Sequence, residues 1–231
     1  MSAQLMDTQF VRPFVHKTYT CMHRYGELFR FLQQINAAFD LNFKKILSFG
    51  CSSGEECLTL KELFPEAKVS GTDVLPDMVE KATEFCAHEK DINILPYPHF
   101  WQTNDQFDLV SCMSVLLELQ YQFLRKPHWH AMIDNPEKKL SAYQIVIEKL
   151  KVKFPFSEFE RVVTLLDSYV KPGGILVIHN ANYRFLETKV GASYDPICLP
   201  GKNYETIPKW HRDDRPVLHD DYTEVIFRKA R

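Results

Sequence analysis

The sequence predicts an α/β fold, a doubly wound and mainly parallel sheet with helices on both faces. Short apolar stretches typical of strands alternate with amphipathic stretches typical of helices. A strand at Lys45–Phe49 is followed by a helix at Glu55–Leu63, and a strand at Lys68–Asp73 by a helix at Leu75–Ala87. Parallel strands joined by helices produce this alternation and leave both faces of the sheet covered.

The same alternation continues along the rest of the chain. Residues 21–39 have apolar side chains at helical spacing, which predicts an amphipathic helix before the first strand. Prolines and many Asp, Asn and His residues in 183–222 predict an irregular or hairpin-like excursion. The other predicted elements are strands at Ile92–Leu95, Phe107–Met113, Ile175–His179 and Glu224–Arg228, and helices at Leu140–Leu150 and Phe156–Val170, the latter ended by Lys171–Gly174.

Length and composition indicate one domain over residues 1–231. A chain of 231 residues with 45% hydrophobic residues can bury a large core. The formal charge of −2 offers no broad basic surface, so we expect no nucleic-acid partner. No apolar run approaches the roughly 20 residues that cross a bilayer, and we expect a cytoplasmic protein without a membrane partner. The six cysteines show no CxxC spacing and are expected to be reduced thiols.

One constellation of residues predicts a ligand site. Gly50 to Gly54 forms the turn between the first strand and its helix, where small residues let backbone N–H groups approach a ligand. Asp73 closes the second strand, and a carboxylate there can accept the hydroxyls of a ribose. Together these features predict a nucleoside with an anionic tail at the carboxyl edge of the sheet.

Four motifs resemble those of the class I S-adenosylmethionine-dependent methyltransferases. The similarity covers about residues 44 to 180 and implies a Rossmann-like sheet of seven strands with S-adenosylmethionine as cofactor. The motifs, in chain order, are Ile46-Leu-Ser-Phe-Gly-Cys-Ser-Ser-Gly-Glu-Glu56, Val69-Ser-Gly-Thr-Asp-Val-Leu-Pro-Asp-Met78, Phe107-Asp-Leu-Val-Ser-Cys-Met-Ser114 and Leu165-Leu-Asp-Ser-Tyr-Val-Lys-Pro-Gly-Gly-Ile-Leu-Val177.

The resemblance implies a role for individual residues along these motifs. Gly50, Cys51, Ser52 and Gly54 are expected along the methionine moiety and sugar, and Asp73 on the ribose. Val74 and Met78 are expected against adenine, and Met113, Ser114 and Val115 near the sulfonium and the substrate.

Polar residues near the motifs are candidates for contacts with the adenine and with the methionine ammonium. Family members often have an acidic or polar residue after the third strand, whereas this chain has Leu95–Gln102, so Trp101 or Gln102 is the candidate for adenine. Glu55 and Glu56 begin a helix and complement its dipole, and Glu55 is also a candidate for the methionine ammonium.

The substrate side of the site is predicted from segments outside the motifs. Residues 1–40 form an N-terminal helical cap or lid, from which Arg24 is a candidate for the cofactor carboxylate and Tyr19 or Tyr25 for lining the pocket. After the fifth strand, Asn180 and Tyr183 are candidates for substrate contacts, and His179 or Tyr183 for accepting a proton. The alternatives for these residues are an ordinary helix cap and a turn rich in Asn.

Two insertions, 116–136 and 183–222, are expected on the substrate side of the domain. The first carries His128 and His130, and the second carries histidines and aspartates near residues 211–220. An HxH pair without a third ligand fixed by spacing is a weak metal signal, so no metal is predicted.

These observations favour a methyltransferase that acts on a small molecule in metabolism, with an unspecified oligomeric state. One alternative keeps the cofactor but cleaves another sulfonium bond, as in the cyclases that release methylthioadenosine and form azetidine-2-carboxylate. The other alternative is a non-catalytic module that binds the cofactor or a protein partner. The sequence motifs are common to all three.

Overall fold

A computed structural model of the protein describes residues 20–96, 105–117, 155–198, 209–215, 217 and 224–231. Within these ranges the chain forms one seven-stranded sheet in the order β3-β2-β1-β4-β5-β7-β6. The strands are β1 Lys45–Phe49, β2 Lys68–Thr72, β3 Ile92–Ile94, β4 Phe107–Met113, β5 Val170–His179, β6 Tyr194–Ile197 and β7 Ile226–Lys229, and the helices are α1 Gly26–Ala38, α2 Glu55–Leu63, α3 Pro76–Phe85 and α4 Phe156–Tyr169.

The strand order confirms the predicted doubly wound sheet. From β1 the chain proceeds outward to β2 and β3, then crosses back to β4 and β5 on the other side of β1, and all these neighbours pair in parallel. β7 pairs antiparallel with both β5 and β6, so the sheet is mainly parallel. The winding therefore reverses between β1 and β4, and ligands of such sheets bind outside the carboxyl ends of the strands at this point.

Helices cover both faces of the sheet and divide the core in two. Alternate residues along each strand enter opposite cores because strand side chains point to alternate faces. Ile46, Leu109 and Val177 pack with buried residues of α1, α2 and α3. Their neighbours Leu47, Val110 and Leu176 pack with buried residues of α4.

Several predicted elements agree closely with the structure. The bounds of β1, α2 and β4 coincide with the predicted stretches, and α3 and α4 end one or two residues earlier than predicted. The helix predicted from residue 21 begins only at Gly26, because the preceding residues form turns and His23 has a left-handed φ of 57°.

The prediction that Lys171–Gly174 separates helix from strand was wrong. β5 already begins at Val170, which pairs with Phe107, and regular pairing resumes at Ile175 opposite Leu109. The extra residues are accommodated as an irregularity of the strand rather than as a loop before it.

The prediction for residues 183–222 needs one addition. Its described part contains two short 3-10 helices, at Phe185–Glu187 and Val190–Ser193, and strand β6. The segment Tyr-Asp-Pro-Ile of β6 has an internal proline and exposed residues, so it lacks the alternation that identifies a strand. The helix predicted at 140–150, residues 118–136 of the first insertion, and residues 1–19 of the N-terminal cap lie outside the described residues.

Candidate functional site

The loop between β1 and α2 is shaped by glycines in left-handed conformations. Gly50 has φ 80° and Gly54 has φ 99°, and Ser52 between them has φ 50°. The N–H groups of Gly50 and Cys51 both donate to the carbonyl of Thr72, the last residue of β2. The loop is thus held against the carboxyl end of the neighbouring strand.

Asp73 connects the end of β2 to this loop. Its Oδ2 accepts the N–H of Ser52 at 2.9 Å, and its Oδ1 accepts the N–H of Leu75 at 3.0 Å. Burial raises the pKa of Asp73, while the backbone hydrogen bonds from Leu75, Ser52 and Val74 oppose that rise. An ionised carboxylate offers about four acceptor positions, so both oxygens keep capacity for a ligand's hydroxyls.

Residues after β2 and β4 line the loop from two sides. The hydroxyl of Ser52 donates to the sulfur of Met78 at 3.6 Å, which brings the start of α3 to the loop. A Cβ built on Gly50 would lie 2.3 Å from Cγ2 of Val115, which follows β4. Of the residues predicted to surround the cofactor, Val115 therefore contacts Gly50 directly, and only glycine leaves room for it. Val74 is partly buried beside Asp73, and Met113 is buried at the end of β4.

Glu56 lies at the carboxyl edge of the sheet, where α2 begins. Its Oε1 accepts hydrogen bonds from the hydroxyls of Ser48 on β1 and Ser111 on β4, each at 2.8 Å. Burial raises the pKa of Glu56 to about 7, although both serine hydrogen bonds and the charge of Arg24 lower it. Two fully buried hydroxyls thus hold one carboxylate whose ionisation is balanced near neutral pH.

The two neighbouring glutamates differ in their surroundings. Both carboxylate oxygens of Glu55 accept a hydrogen bond from the hydroxyl of Ser53, at 3.0 and 2.9 Å. Glu56 instead reaches inward to the two strands. The sequence favoured Glu55 as the functional carboxylate, whereas the geometry favours Glu56.

A second cluster forms around the hydroxyl of Ser114, one residue past β4. Tyr25 Oη lies 2.7 Å from Ser114 Oγ, and Asn180 Nδ2 donates to the same oxygen at 2.8 Å. Ser114 and Asn180 both have left-handed backbones, with φ of 58° and 53°. These conformations turn both side chains toward each other at the carboxyl ends of β4 and β5.

His179 packs against this cluster. Its ring packs edge-on against the ring of Tyr25 with 5.0 Å between centroids, and its carbonyl accepts the N–H of Ser114 at 2.8 Å. Burial raises the pKa of Tyr25, so at neutral pH the phenol keeps its proton, and either hydroxyl of the Tyr25–Ser114 pair can be the donor. The guanidinium carbon of Arg24 lies 5.0 Å from the Tyr25 ring centroid, which brings a cation to the same edge.

The structure does not bring Tyr183 to the Ser114 cluster. Its ring packs between Phe156 and Phe159 of α4, and its hydroxyl donates to Asp214 Oδ1 at 2.8 Å. Only 1% of Tyr183 is exposed, and burial raises its pKa, which disfavours a role as a base. Its catalytic role stays a prediction, and Tyr19, Trp101 and Gln102 lie outside the described residues.

Ser48, Ser111 and Glu56 are the residues that sequence reasoning missed. Each serine interrupts an otherwise apolar strand, which is the one local signal that either had. Ser48 pairs with Ser111 across β1 and β4, but this register is invisible in the sequence. The polar residues of the two strands meet at one carboxylate only when the strands are aligned.

The predictions of no metal site, no membrane span and no disulfide can be compared with the described residues only. Among the described residues, no group of three or more His, Cys, Asp or Glu is placed to hold a metal ion. His211 contacts Glu187 at 2.6 Å and Asp213 contacts Arg215 at 2.6 Å, while His128, His130, His219 and Asp220 lie outside the description. Every helix in the described part of the chain is too short or too polar to span a bilayer. All six cysteines are free thiols.

The fold and the glycine loop at this edge of the sheet are typical of α/β domains that bind nucleosides. Residues 46–142 match the family model of the methyltransferase domain. The match confirms the resemblance to the class I S-adenosylmethionine-dependent methyltransferases over the stretch that contains the glycine loop, Asp73, Glu56 and Ser114. This resemblance implies S-adenosylmethionine as the cofactor.

Solved structures of methyltransferases resemble the chain at low identity. PKMT2 from Rickettsia typhi in complex with AdoHcy is 15% identical with a TM-score of 0.37, over 60% of this chain and 21% of its own. The plantazolicin methyltransferase BpumL, with a monoazolic desmethylPZN analog and SAH, is 13% identical with a TM-score of 0.42, over 67% and 46%. The mitomycin 7-O-methyltransferase MmcR is 17% identical with a TM-score of 0.35, over 64% and 34%.

These matches cover only part of each solved structure. The matched part spans about a fifth to a half of the length of those three proteins. At such scores the fold assignment rests on the strand order described above. A comparison with curated protein sequences finds no match.

Proposed function

We propose that the protein transfers the methyl group of S-adenosylmethionine to a small-molecule acceptor at the carboxyl edge of β1, β2, β4 and β5. The observation that carries the proposal is that Tyr25 and Asn180 both hydrogen-bond to Ser114. The next residue, Val115, packs on Gly50 of the glycine loop. Three hydrogen-bonding side chains from three distant segments thus meet next to the cofactor loop. The formal charge of −2 is consistent with a small acceptor rather than nucleic acid.

The residues at this edge fit the parts of S-adenosylmethionine. Asp73 would accept the ribose hydroxyls with the lone pairs that its backbone hydrogen bonds leave. Glu56, fixed by Ser48 and Ser111, would pair with the ammonium group, and Arg24 would pair with the carboxylate. Val74 and Met78 would pack against adenine.

When bound, S-adenosylmethionine supplies an electrophilic methyl group and its own leaving group. The protein's contribution is then mainly to orient the acceptor and to exclude water, because correct positioning alone can remove several kcal/mol, up to about 10, of the barrier. Ser114 and Tyr25 have two O–H groups and share one hydrogen bond, so one O–H of the pair remains to donate to the acceptor. Asn180 fixes the orientation of Ser114 through the hydrogen bond that its side-chain amide donates.

Proton removal from the acceptor has one candidate residue in this cluster. Tyr25 keeps its own proton because burial raises its pKa. His179 is buried at the end of β5 with its ring against Tyr25, and it would accept the acceptor's proton if the nucleophile carries one. An amine that reacts as the free base needs no such step.

The test is to incubate the protein with S-adenosylmethionine and a panel of small amines, phenols, thiols and carboxylic acids, and to detect products by mass spectrometry. S-adenosylhomocysteine that forms only with an acceptor supports the proposal. The family match supports transfer and gives no support to the lyase alternative. Methylthioadenosine without any acceptor would contradict transfer, and cofactor binding without product across the panel would favour the non-catalytic alternative.

Variants of the Ser114 cluster connect any activity to the site. We expect Tyr25→Phe and Ser114→Ala to lower kcat by about tenfold to a hundredfold, as loss of a positioning hydrogen bond of 1.4 to 2.7 kcal/mol would do. Ser168→Ala is the matched control, because Ser168 is an exposed serine of α4 whose hydroxyl bonds only within its own helix. Equal rates in Ser114→Ala and Ser168→Ala would contradict the role of the cluster.

A further inference from the structure

The turn before α1 contacts α2 at the buried hydroxyl of Thr59. Thr59 lies in the middle of α2 and is only 1% exposed. Its Oγ1 accepts the N–H of His23 at 3.1 Å and donates to the carbonyl of Glu55 at 2.8 Å. One side chain therefore joins the N-terminal turn to the helix that begins at the cofactor loop.

His23, which donates the hydrogen bond to Thr59, sets the direction of the turn. His23 has a left-handed φ of 57°, an uncommon conformation for a residue with a side chain. Its carbonyl accepts the N–H of Gly26, so residues 23–26 form one closed turn that leads into α1. Tyr25 is part of this turn, and its position follows from where His23 is fixed.

Other contacts also join these elements in the described part of the chain, among them the charge interaction between Arg24 and Glu56 at the start of α2. His23 Nε2 lies 3.2 Å from Glu62 Oε2, but both side chains are more than half exposed, and exposed pairs contribute little. Gln33 Nε2 donates to the carbonyl of Leu63 at 2.7 Å, further along α1. That contact attaches the helix itself and lies about two turns beyond Tyr25.

We propose that Thr59 is a positioning residue whose hydroxyl fixes the turn at His23 and thereby holds Tyr25 against Ser114. The proposal rests on the proposed function, since Tyr25 orients the acceptor there. A hydroxyl is required at position 59 because it must accept one hydrogen bond from the turn and donate another to its own helix. Serine keeps both bonds, whereas valine has the same shape and keeps neither.

The chain offers two matched controls. Thr83 on α3 is exposed, and its hydroxyl donates to the carbonyl of Val79 four residues earlier, just as Thr59 does to Glu55. Thr83→Val therefore removes the same bond within a helix without any bond to the turn. Gln33→Met removes a bond between α1 and α2 without touching the turn at His23.

The experiment follows Tyr25 directly by fluorine NMR of protein labelled with 3-fluorotyrosine, with the Tyr25 resonance assigned through Tyr25→Phe. We expect Thr59→Val to shift this resonance toward the frequency of exposed tyrosine, and Thr59→Ser, Thr83→Val and Gln33→Met to leave it in place. Amide exchange of His23 is expected to be faster by about tenfold in Thr59→Val alone, as loss of one buried hydrogen bond implies.

The outcomes separate this proposal from the proposed function. An unmoved Tyr25 resonance in Thr59→Val, or an equal shift in Thr83→Val, would overturn the positioning role. Failure of the wild-type protein to bind S-adenosylhomocysteine would instead overturn the proposed function, because the NMR measurement needs no ligand. If Thr59→Val does not fold, Thr59→Ala with the same resonance and the same criteria takes its place.

Discussion

Ser48 and Ser111 lie opposite each other on adjacent strands, and both donate to the same carboxylate oxygen of Glu56. Two donors on one oxygen stabilise the ionised form, whereas burial destabilises it, and the pKa of about 7 shows that burial prevails. The ionised fraction of such a carboxylate rises strongly when a cation lies beside it. This makes Glu56 the part of the site that is most open to measurement.

The affinity for S-adenosylmethionine is expected to rise with pH because of Glu56. A ligand ammonium binds the ionised carboxylate, and a group with a pKa of about 7 is mostly protonated at pH 6 and mostly ionised at pH 8. We expect affinity to increase by about tenfold over this range, with release of about half a proton at pH 7. Titration calorimetry in buffers of different ionisation enthalpy measures both.

Two variants test whether Glu56 is responsible. Glu56→Gln keeps an oxygen that can accept from both serines but has no charge, so its affinity is expected to be lower and independent of pH between 6 and 8. Glu55→Gln is the control, because Glu55 contacts Ser53 and not the strands. A pH dependence that persists in Glu56→Gln would assign the titration to another group.

The stability of the ligand-free protein is expected to depend on pH in the opposite direction. The pKa of Glu56 rises from 4.5 to about 7 on folding, so the native state binds more protons than the unfolded state between these values. The contribution of Glu56 to the free energy of unfolding is therefore fully present below pH 4.5 and is lost as pH rises through about 7. Urea unfolding at pH 5 and pH 8 should show Glu56→Gln gaining stability relative to wild type at the higher pH, and an unchanged difference would contradict this.

Asp73 is expected to strengthen the binding of S-adenosylhomocysteine. Asp73→Ala removes the acceptor of the Ser52 and Leu75 N–H groups and any bond to the ribose, so the loop and the ligand both lose a charged partner. Loss of a charged hydrogen bond of about 1.5 to 3 kcal/mol predicts a tenfold to hundredfold weaker affinity. Calorimetry should show no change for Asp105→Ala, where an exposed aspartate pairs with Lys45.

Alanine substitutions at Gly50 and Gly173 distinguish the cost of backbone strain from the cost of a close contact. Both have a left-handed φ near 80°, so alanine at either position should cost about 1 to 2 kcal/mol of stability. At Gly50 the new Cβ would also lie 2.3 Å from Val115, whereas the nearest atom at Gly173 is 3.5 Å away. We expect Gly50→Ala to cost about 1 to 3 kcal/mol more, as overpacking does.

The contact with Val115 can be tested by a second substitution. Val115→Ala removes the Cγ2 atom that the new Cβ would meet, so the double variant Gly50→Ala with Val115→Ala should recover part of the extra loss. Unfolding in urea measures all three variants. Equal costs at Gly50 and Gly173 would contradict the proposed close packing of the loop.

Local signals in the sequence were sufficient where an element is defined by its own residues. The apolar run that stops at Gly50 and the amphipathic stretch that begins at Leu75 predicted a strand and a helix with nearly correct bounds. Asp73 was identified because the end of one strand and the turn after another meet in any doubly wound sheet. Lys171–Gly174 misled the prediction because prolines and glycines usually end strands, whereas here an irregular pairing absorbs them.

The sequence by itself determined the sheet, the glycine loop and the position of Asp73 beside that loop, because each depends on residues that are near in the chain or on a general rule of parallel sheets. Only the tertiary structure decided that Glu56 rather than Glu55 joins Ser48 and Ser111, and that Tyr25 rather than Tyr183 meets Ser114. Ser111 is 55 residues from Glu56, and Tyr25 is 89 residues from Ser114. Contacts at such separations depend on strand register and helix docking, which no local pattern encodes.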